Sequence, residues 1–522
     1  MSRIRVLAMF PVVPALAALA LVTVPQAADA GPVTVTEPVN VTHDLFADNE
    51  ESLGMSGSGT LLAGAWNDFD FNDGCGFAYS TTGGSTWAPR TFVPGFTQFT
   101  NDPGVPGTGS FEVAGDPAVA WNPKFDAFDV VCQAFDVSPP FPIQLLATSF
   151  DPAKANPNAG ENQSYGAAAW THPVPVATGT STGTQKGSNG QFPDHESIMI
   201  DTGTAAGHHF GRIYVTWAKF NGSGRSPIQV AFSDDNGRHW TGPVTVSDNS
   251  HQFDQDARIN IGPDGTVYDT WINSPNEKSL KDNQAMVAKS ADGRLTWTAS
   301  ATVAPILGPT PGLLPNSSYR VFTDVTSAVD QSTGQLVVAY TDRRSGASNV
   351  WVTRAGAGGS IASFTTPVRV KPSPNEEFFP WMSSAPDGLV DLVHYDRSCD
   401  PANTLNCVTL SSSFDGGASW TNTPVTTEGF NGDKFQACLA FVQPSNCGVF
   451  FLGDYIAVQS TNSKAQILYT GNGPTVTPWT CSRSRQASEN GPASRRGRPR
   501  RNVPGNGTAG HSPAPRYGNF PR

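Results

Sequence analysis

The sequence predicts an all-β protein made of repeated four-stranded antiparallel sheets. Its 522 residues include 52 Gly and 43 Pro, and only 15% of them are charged. Val, Thr, Phe and Trp occur in short bursts between Gly, Asn, Asp and Pro, which is typical of short strands joined by turns. Two sequence repeats, one short and one long, divide the chain into similar units. One large repetitive domain is therefore expected.

The short repeat is an eight-residue pattern that begins with Ser and ends with Trp. Its copies are STTGGSTW (Ser80 to Trp87), SDDNGRHW (Ser233 to Trp240), SADGRLTW (Ser290 to Trp297) and SFDGGASW (Ser413 to Trp420). Each copy follows an apolar stretch with strand character, which predicts a hairpin turn. Asp235, Asp292 and Asp415 would accept hydrogen bonds from turn N–H groups, and the Trp would cover the strand pair. Because Thr82 replaces the acid in the first copy, a structural role is predicted.

The long repeat is a polar or acidic start, a short apolar strand, a turn and a second apolar strand. Its seven copies begin near Asn49, Gly115, Pro193, Gln255, Phe322, Phe378 and Phe451. A spacing of roughly 55 to 80 residues suits one four-stranded sheet with its loops. Radial packing of such sheets predicts a six- or seven-bladed β-propeller, with a β-helix or a string of sandwiches as the alternative. The segment GPVTVTEPVNVTHD, from Gly31, is expected to supply a missing outer strand and close the ring.

The SxDxGxxW turns resemble the Asp-boxes, or BNR repeats, of sialidase-like propellers. The segments around NEESLG, AGAWND and CGFAYSTTGGSTW resemble the first blade of secreted bacterial proteins of that type, and FLGDYIAV resembles their last blade. The resemblance covers roughly residues 45 to 470, within a propeller domain expected to span 31–475. It implies the fold more strongly than it implies an activity, since Asp-boxes also occur in other glycosidases and in non-enzymatic propellers.

Residues 1–30 have the pattern of a secretory signal peptide. Positive charge in MSRIR precedes an apolar run, and Ala28-Asp29-Ala30 offers small residues for cleavage. A membrane anchor is the alternative, but Pro11, Pro14 and Pro25 interrupt the run, and no later segment has the length of a membrane span. A secreted protein with no membrane span after processing is therefore expected.

Charge is distributed unevenly along the chain. The net charge is -11, yet the segment from Cys481 onward holds nine Arg and one Glu, which leaves the remainder at -19. An acidic body argues against nucleic acid as a partner. The segment 476–522 lacks apolar periodicity and is expected to be disordered.

The seven cysteines suit an exported protein with disulfides. Cys399 with Cys407, and Cys438 with Cys447, could each close a short loop, while Cys75 and Cys132 could form a third bridge and leave Cys481 single. The spacing does not suggest zinc.

A propeller gathers one end of each innermost strand around its axis, and each long repeat carries an acid there. The predicted ring consists of Glu50 or Glu51, Asp116, Glu196, Asp256, Asp324, Glu376 or Glu377, and Asp454. Such a ring could bind Ca²⁺ through oxygen ligands or supply carboxyls of raised pKa for general acid catalysis. The alternative is that each acid caps its own strand or loop. Trp66, Trp217, Trp271 and Trp381 could stack on a glycan or pack within blades.

The sialidase resemblance implies three arginines that grip a substrate carboxylate, a Tyr nucleophile assisted by Glu, and an Asp acid/base. The candidates are Arg258, Arg320, Arg343 and Arg397 for the arginines, and Tyr340, Tyr395 and Tyr455 for the nucleophile. The sequence departs from this pattern because it has no Arg between Arg5 and Arg90, where the first blade should supply one. Ion pairs within blades are the alternative role for Arg343 and Arg397.

Two functions follow as hypotheses. The first is a glycoside hydrolase acting on an extracellular glycan or cell-surface polymer. The second is a non-catalytic propeller that binds glycan or protein at its axial face. At least three arginines meeting in one axial pocket would favour a sialidase.

Overall fold

The structure, a computed structural model, describes residues 34–484 except 44–47, 69–73, 99–108, 159–163, 181–189, 223, 252, 275–282, 295, 427, 438–448 and 473–475. Within these ranges the regular structure is almost entirely β-strand. Its helical segments are three short 3₁₀ turns at Ala167–Ala169, Ala357–Gly359 and Gly432–Lys434. The all-β prediction is confirmed. The predicted signal segment 1–30 lies outside the described residues, and no helix among the described ones is long and apolar enough to cross a membrane.

Six antiparallel blades follow one another along the chain, after the short strands β1 (Thr34–Val35) and β2 (Val39–Asn40). Blade 1 contains β3 (Asp48–Met55), β4 (Leu62–Asp68), β5 (Gly74–Ser80) and β6 (Thr91–Phe92). Blade 2 contains β7 (Val113–Asn122), β8 (Ala127–Phe135), β9 (Pro142–Phe150) and β10 (Val174–Thr180). Blade 3 contains β11 (Gln191–Ile200), β12 (Ile213–Asn221), β13 (Ile228–Ser233) and β14 (Thr241–Thr245).

Blades 4 to 6 repeat this order, with the first strand innermost. Blade 4 contains β15 (Asp254–Ile261), β16 (Val267–Asn273), β17 (Gln284–Ser290) and β18 (Ala301–Pro305). Blade 5 contains β19 (Val325–Val329), β20 (Leu336–Asp342) and β21 (Asn349–Gly356), and its outer position is shared by β22 (Ser360–Phe364) and β23 (Val368–Arg369). Blade 6 contains β24 (Glu377–Ser384), β25 (Val390–Asp396), β26 (Cys407–Ser413) and β27 (Thr421–Pro424).

A closing sheet joins the two ends of the described chain. After a short pair, β28 (Gln436–Ala437) and β29 (Val449–Phe450), come β30 (Ala457–Thr461), β31 (Lys464–Asn472) and β32 (Val476–Ser484). Both β1 and β2 pair antiparallel with β32, as predicted for the N-terminal segment. Apolar side chains pack this sheet against blade 6 on one side and blade 1 on the other. The sheet continues past the predicted domain boundary at 475, because β32 has β31 as a backbone partner that the sequence did not reveal.

The core lies between neighbouring blades, and it contains three of the four candidate glycan-binding tryptophans. Trp66, Trp217 and Trp271 are at most 1% exposed and belong to three different packed clusters. Trp381 is half-buried. The packing alternative therefore holds for the first three, and only Trp381 is placed to meet a ligand.

The four Ser-to-Trp repeats form the turns that lead into the outer strand of blades 1, 3, 4 and 6, as predicted. In three copies the Ser hydroxyl accepts from the Gly N–H four residues later, for example Ser413 Oγ from Gly417 N at 2.7 Å. Asp415 Oδ1 accepts from the N–H groups of Ala418 and Ser419, both at 2.9 Å. In the first copy the Thr82 hydroxyl accepts from Thr86 N–H at 2.9 Å. A hydroxyl thus replaces the carboxylate, which explains why the turn tolerates Thr82.

Replacing Asp415 with Ala is expected to cost about 1–2 kcal/mol of unfolding free energy. The variant leaves two backbone N–H groups and the Ser419 hydroxyl without their acceptor, at a site that is partly exposed. Urea unfolding of Asp415→Ala beside Glu428→Ala, an exposed acid elsewhere on blade 6, would measure the difference. Equal midpoints for the two variants would show that the carboxylate does not stabilise the turn.

Two disulfides are present among the described residues. Cys399–Cys407 closes the short loop between β25 and β26 of blade 6, and Cys75–Cys132 links β5 of blade 1 to β8 of blade 2. The first bridge was predicted, and the second was one of the pairings that the sequence left open. Cys438 and Cys447 lie outside the described residues.

Candidate functional site at the axial mouth

A repeated backbone feature turns polar side chains toward the axis. In β3, β7, β11, β15 and β24 the pairing register shifts near the start of the innermost strand. At each shift one residue that is not glycine has φ between 49° and 58°, namely Glu50, Asp116, His195, Asp256 and Phe379. Such a left-handed residue is strained, and a bulge re-aims its side chain. The sequence predicted acids at these strand starts but not the bulges that direct them.

We use the term axial mouth for the side chains that these strand starts and two loops bring together. Its carboxyls are Glu50, Asp116, Asp194, Glu196, Asp256, Asp324 and Asp454, and its other members are His195, Arg258, Arg320, Trp381 and Tyr455. Six of the eight residues predicted as catalytic are among them, namely Asp116, Glu196, Asp256, Arg258, Asp324 and Tyr455.

On the blade 1–2 side, two carboxyls are hydrogen-bonded to each other. Glu50 is almost fully buried and bonds to Asp116, while the Asn67 amide donates to Glu50. Asn67 Oδ1 accepts from the backbone N–H of Asp116 at 2.7 Å, which fixes the relative positions of the two blades. Burial first, and then the charges of Asp116 and Asp454, raise the pKa of Glu50 well above its usual value. Glu50 therefore holds a proton that Asp116 accepts.

On blade 3, two further carboxyls lie beside this pair. Glu196 is 4% exposed, and neither of its carboxylate oxygens has a hydrogen-bond partner in the described part of the chain. Burial, followed by the nearby charge of Asp116, raises its pKa well above the usual range. Asp194 is half-buried and accepts from Gln133 Nε2 at 3.3 Å. Burial and the Asp116 charge raise its pKa to about 7.

The blade 4–5 side is internally paired. His195 Nδ1 lies 3.0 Å from Asp256 Oδ1, and Arg258 Nη2 donates to His195 Nε2 at 3.0 Å. The proton of a neutral imidazole therefore sits on Nδ1, toward Asp256. Arg258 is 4.0 Å from Asp324 and stacks 4.2 Å from the Trp381 ring centre. The Arg258 guanidinium group is therefore already bound by His195, Asp324 and Trp381.

The loop residue Arg320 and the closing sheet complete the mouth. Arg320 binds Asp454 through Nε at 2.9 Å and through Nη2, and its side chain is 47% exposed. Tyr455 is buried, with its ring 5.1 Å from that of His195 and 5.5 Å from that of Trp381. Burial and the charges of Asp116, Glu50 and Glu196 raise the pKa of Tyr455 well above its usual value. Its phenol is therefore held neutral.

The structure places the other predicted residues in structural roles. Arg397 is fully buried and donates to Asn406 Oδ1 at 2.9 Å and to the carbonyls of Pro315 and Asn403 at 2.7 and 3.0 Å. Arg343 pairs with Glu376 at 3.5 Å and donates to Gly346 O at 3.0 Å. The ion-pair alternative fits Arg343, and Arg397 anchors a loop. Since only Arg258 and Arg320 of the four arginines join the axial mouth, a three-arginine site does not assemble among the described residues.

The capping alternative holds for several of the predicted acids. Glu376 accepts from Ser348 N–H at 2.6 Å, Glu377 from Val350 N–H at 2.9 Å, and Asp324 from Val325 N–H at 2.7 Å. Glu51 binds the Thr470 hydroxyl of the closing sheet, so Glu50 is the member of that pair that faces the mouth. Among the described residues, no group of three or more His, Cys, Asp or Glu side chains has the geometry to hold a metal ion.

The sequence did not assign axial roles to Asp194 or Asn67. The DHE triplet inside the first strand of blade 3 was the available signal for Asp194, since the bulge of that strand falls at this triplet. Asn67 lies on the second strand of its blade and joins the mouth only because blades 1 and 2 pack side by side, so no local pattern could indicate it.

The chain was compared with known proteins. No protein-family model and no curated protein matches the sequence. Among solved structures, polysaccharide lyase Uly1 has a TM-score of 0.48 at 10% identity, covering 88% of this chain and 95% of its own. An α-L-arabinanase from Penicillium chrysogenum has a TM-score of 0.43 at 10% identity, covering 87% and 99%. A Hadza microbial sialidase has a TM-score of 0.41 at 18% identity, covering 86% of this chain and 68% of its own. The function therefore has to be inferred from the chain's own side chains.

Because these carboxyls are buried, we expect the free energy of unfolding to fall as pH rises. Burial raises the pKa of Glu51, Asp254, Asp324 and Glu377 to about 8. The folded state therefore binds more protons than the unfolded state between about pH 4 and pH 8, and the unfolding free energy decreases across that window. We expect the urea midpoint to be higher at pH 5 than at pH 8, with a free-energy difference above about 1.4 kcal/mol, the value of one pKa unit. A midpoint that rises with pH would contradict this.

Proposed function

We propose that this chain is a secreted glycoside hydrolase that cleaves extracellular glycans at its axial mouth. The observation that carries the proposal is the Glu50 carboxyl, which lies beside Asp116 in the axial mouth and is almost fully buried, so that its pKa is raised well above its usual value. A carboxylic acid kept neutral near pH 7 is the group that glycosidic cleavage needs as proton donor. The two disulfides suit an extracellular location.

The reaction would divide its two proton transfers between opposite sides of the mouth. Glu50 gives its proton to the glycosidic oxygen as the bond to the anomeric carbon breaks, and the Asn67 amide, which donates to Glu50, stabilises the carboxylate that results. Asp256, which accepts a hydrogen bond from His195 Nδ1 at 3.0 Å, accepts a proton from the water that attacks the anomeric carbon. Trp381, half-buried at the rim, offers an aromatic face to the sugar ring.

The arginine arrangement disfavours a sialoside as the substrate. A substrate carboxylate is held by guanidinium groups whose charge is not already neutralised by protein carboxylates. Arg320 gives two donors to Asp454, and Arg258 is engaged by His195, Ala257 O and Asp324. We therefore propose hydrolysis of a glycan that lacks a carboxylate at the cleaved residue.

A screen of the purified mature protein against fluorogenic glycosides tests the proposal. We expect turnover of at least one substrate without a carboxylate and no turnover of sialosides. Hydrolysis of sialosides alone would contradict the substrate assignment. Binding on a glycan array without turnover of any substrate would contradict hydrolysis and support a second candidate, a propeller that binds glycan without cleaving it.

That second candidate is a non-catalytic propeller that binds glycan at the same face. The paired half of the mouth favours it, because His195, Asp256, Arg258 and Asp324 lie within hydrogen-bond or ion-pair distance of one another without a substrate. The two candidates differ in the requirement for the Glu50 proton, which only hydrolysis needs.

A further inference from the structure

The charges of the axial mouth are paired on one side and unpaired on the other. Asp454 has Arg320, Asp256 has His195, and Asp324 has Arg258 at 4.0 Å. The remaining four carboxyls are Glu50, Asp116, Asp194 and Glu196. Among the ion pairs of the described residues, none of these four has a lysine, arginine or histidine partner. We call Glu50, Asp116, Asp194 and Glu196 the acidic quartet; all four lie on blades 1 to 3.

Glu196 indicates that the quartet is incomplete without a ligand. Buried polar groups are almost always hydrogen-bonded, because leaving one unpaired costs free energy. Glu196 is only 4% exposed, yet both of its carboxylate oxygens lack a hydrogen-bond partner in the described structure. Its neighbours Asp116 and Asp194 are half-buried, so the group is reached from solvent past two further acids. A donor from outside the protein would satisfy it.

The chemistry of that donor follows from the charges. A hydroxyl donates one hydrogen bond and carries no charge that would favour ionised carboxyls. An ammonium group donates three hydrogen bonds, and its charge favours the ionised forms of Asp194 and Glu196. Because no three of these side chains have metal-binding geometry, a compact cation with its own donors fits better than a metal ion.

We propose that the acidic quartet binds the protonated amine of an amino sugar, so that the glycan taken by the axial mouth carries a free amine rather than an N-acetyl group. This inference rests on the proposed glycan-cleaving function for the sugar part of the ligand. The amine recognition follows from the quartet alone. Trp381, which is half-buried, lies on the opposite side of the mouth, where it can contact the sugar ring.

Isothermal titration of the full chain tests the proposal with three probes at pH 6, namely a glucosamine tetramer, its fully N-acetylated counterpart and tetralysine. We expect the glucosamine tetramer to bind at least about tenfold more tightly than the other two, since one charge-assisted hydrogen bond is worth that factor. Equal or tighter binding of the N-acetylated tetramer would overturn the amine assignment. Equal binding of tetralysine would overturn the sugar assignment.

Variants separate the quartet from the rest of the surface. Glu196→Gln is expected to weaken binding of the glucosamine tetramer about tenfold, whereas Glu428→Gln, an exposed acid on blade 6, should leave it unchanged. If Glu196→Gln does not fold, Asp194→Asn replaces it as the quartet variant, because Asp194 is only half-buried. Unchanged affinity in a folded quartet variant would refute the site.

Proton release supplies a second readout. Glu50, Asp194 and Glu196 have raised pKa values, and the charged or titratable groups that face them are Asp116, Asp454, His195, Arg320 and Tyr455. An ammonium beside Asp194 and Glu196 favours their ionised forms, so binding at pH 6 should release protons. Titrations in two buffers of different ionisation enthalpy measure this release, and a release of zero would count against the proposal. Binding is measured without turnover, so amine binding without hydrolysis would refute only the catalytic function.

Discussion

Glu50→Gln is expected to lower kcat/KM by about 10²- to 10⁴-fold on the glycoside identified by the substrate screen. The glutamine keeps the shape of the side chain and the contact with Asn67, but it has no acidic proton to give to the leaving oxygen. Loss of general acid catalysis by one positioned group has an effect of this size. Aryl glycosides with good leaving groups should lose less activity than natural glycans, because their departure needs less protonation.

Glu51→Gln is the matched control for this variant. Glu51 is the next residue in the same strand and is also fully buried, but its carboxyl binds the Thr470 hydroxyl instead of facing the mouth. We expect its kcat/KM to stay within about twofold of the parent protein, because any change acts on packing and not on proton transfer. If Glu50→Gln and Glu51→Gln lost activity equally, or if Glu50→Gln kept full activity, Glu50 would not be the acid.

Removal of the disulfide between blades 1 and 2 is expected to cost about 4 kcal/mol of unfolding free energy. Cys75 and Cys132 are 57 residues apart, and a loop of that length gives this value in the chain-entropy model. Both side chains are buried, so a Cys75→Ala/Cys132→Ala variant also loses packing between the blades. Urea unfolding of this variant measures the loss, which should be large enough to lower the midpoint clearly.

The second disulfide provides the comparison. Cys399 and Cys407 are only 8 residues apart, and the same model gives about 2.5 kcal/mol for that loop. The Cys399→Ala/Cys407→Ala variant should therefore be the more stable of the two double variants. The reverse order would mean that packing or local geometry, and not loop length, controls the contribution of these bridges.

The candidate site was only partly predictable from sequence. A run such as GDPAV or QDARI marks a strand start, so the position of Asp116 or Asp256 near the axis follows from the repeat. The direction of each side chain depends on a bulge, and a bulge depends on pairing with a strand elsewhere in the blade. Blade 6 has the same bulge, but Glu376 and Glu377 precede it and cap the backbone of blade 5, while Phe379 takes the bulge position that Asp116 takes in blade 2.

The arginines illustrate the same limit. Arg343 and Arg397 both follow an Asp at a strand end, as a substrate-binding arginine would, yet one forms an ion pair with Glu376 and the other is fully buried. Arg258 and Arg320 have no such sequence context and join the mouth. The partner of an arginine depends on which loops pack together in the folded chain. The residues next to the arginine in sequence do not indicate this.

The sequence by itself determined the all-β class, the repeat that becomes the blades, the Ser-to-Trp turns, one disulfide and the N-terminal strands that complete the closing sheet. These features depend on local periodicity, turn chemistry and the need of each sheet to bury its faces, all of which are written in short stretches of chain. Only the tertiary structure decided which acids are paired. Ion pairs such as Arg320 with Asp454 join residues far apart in sequence, and among the described residues no ion pair includes Glu50, Asp116, Asp194 or Glu196, the acidic quartet.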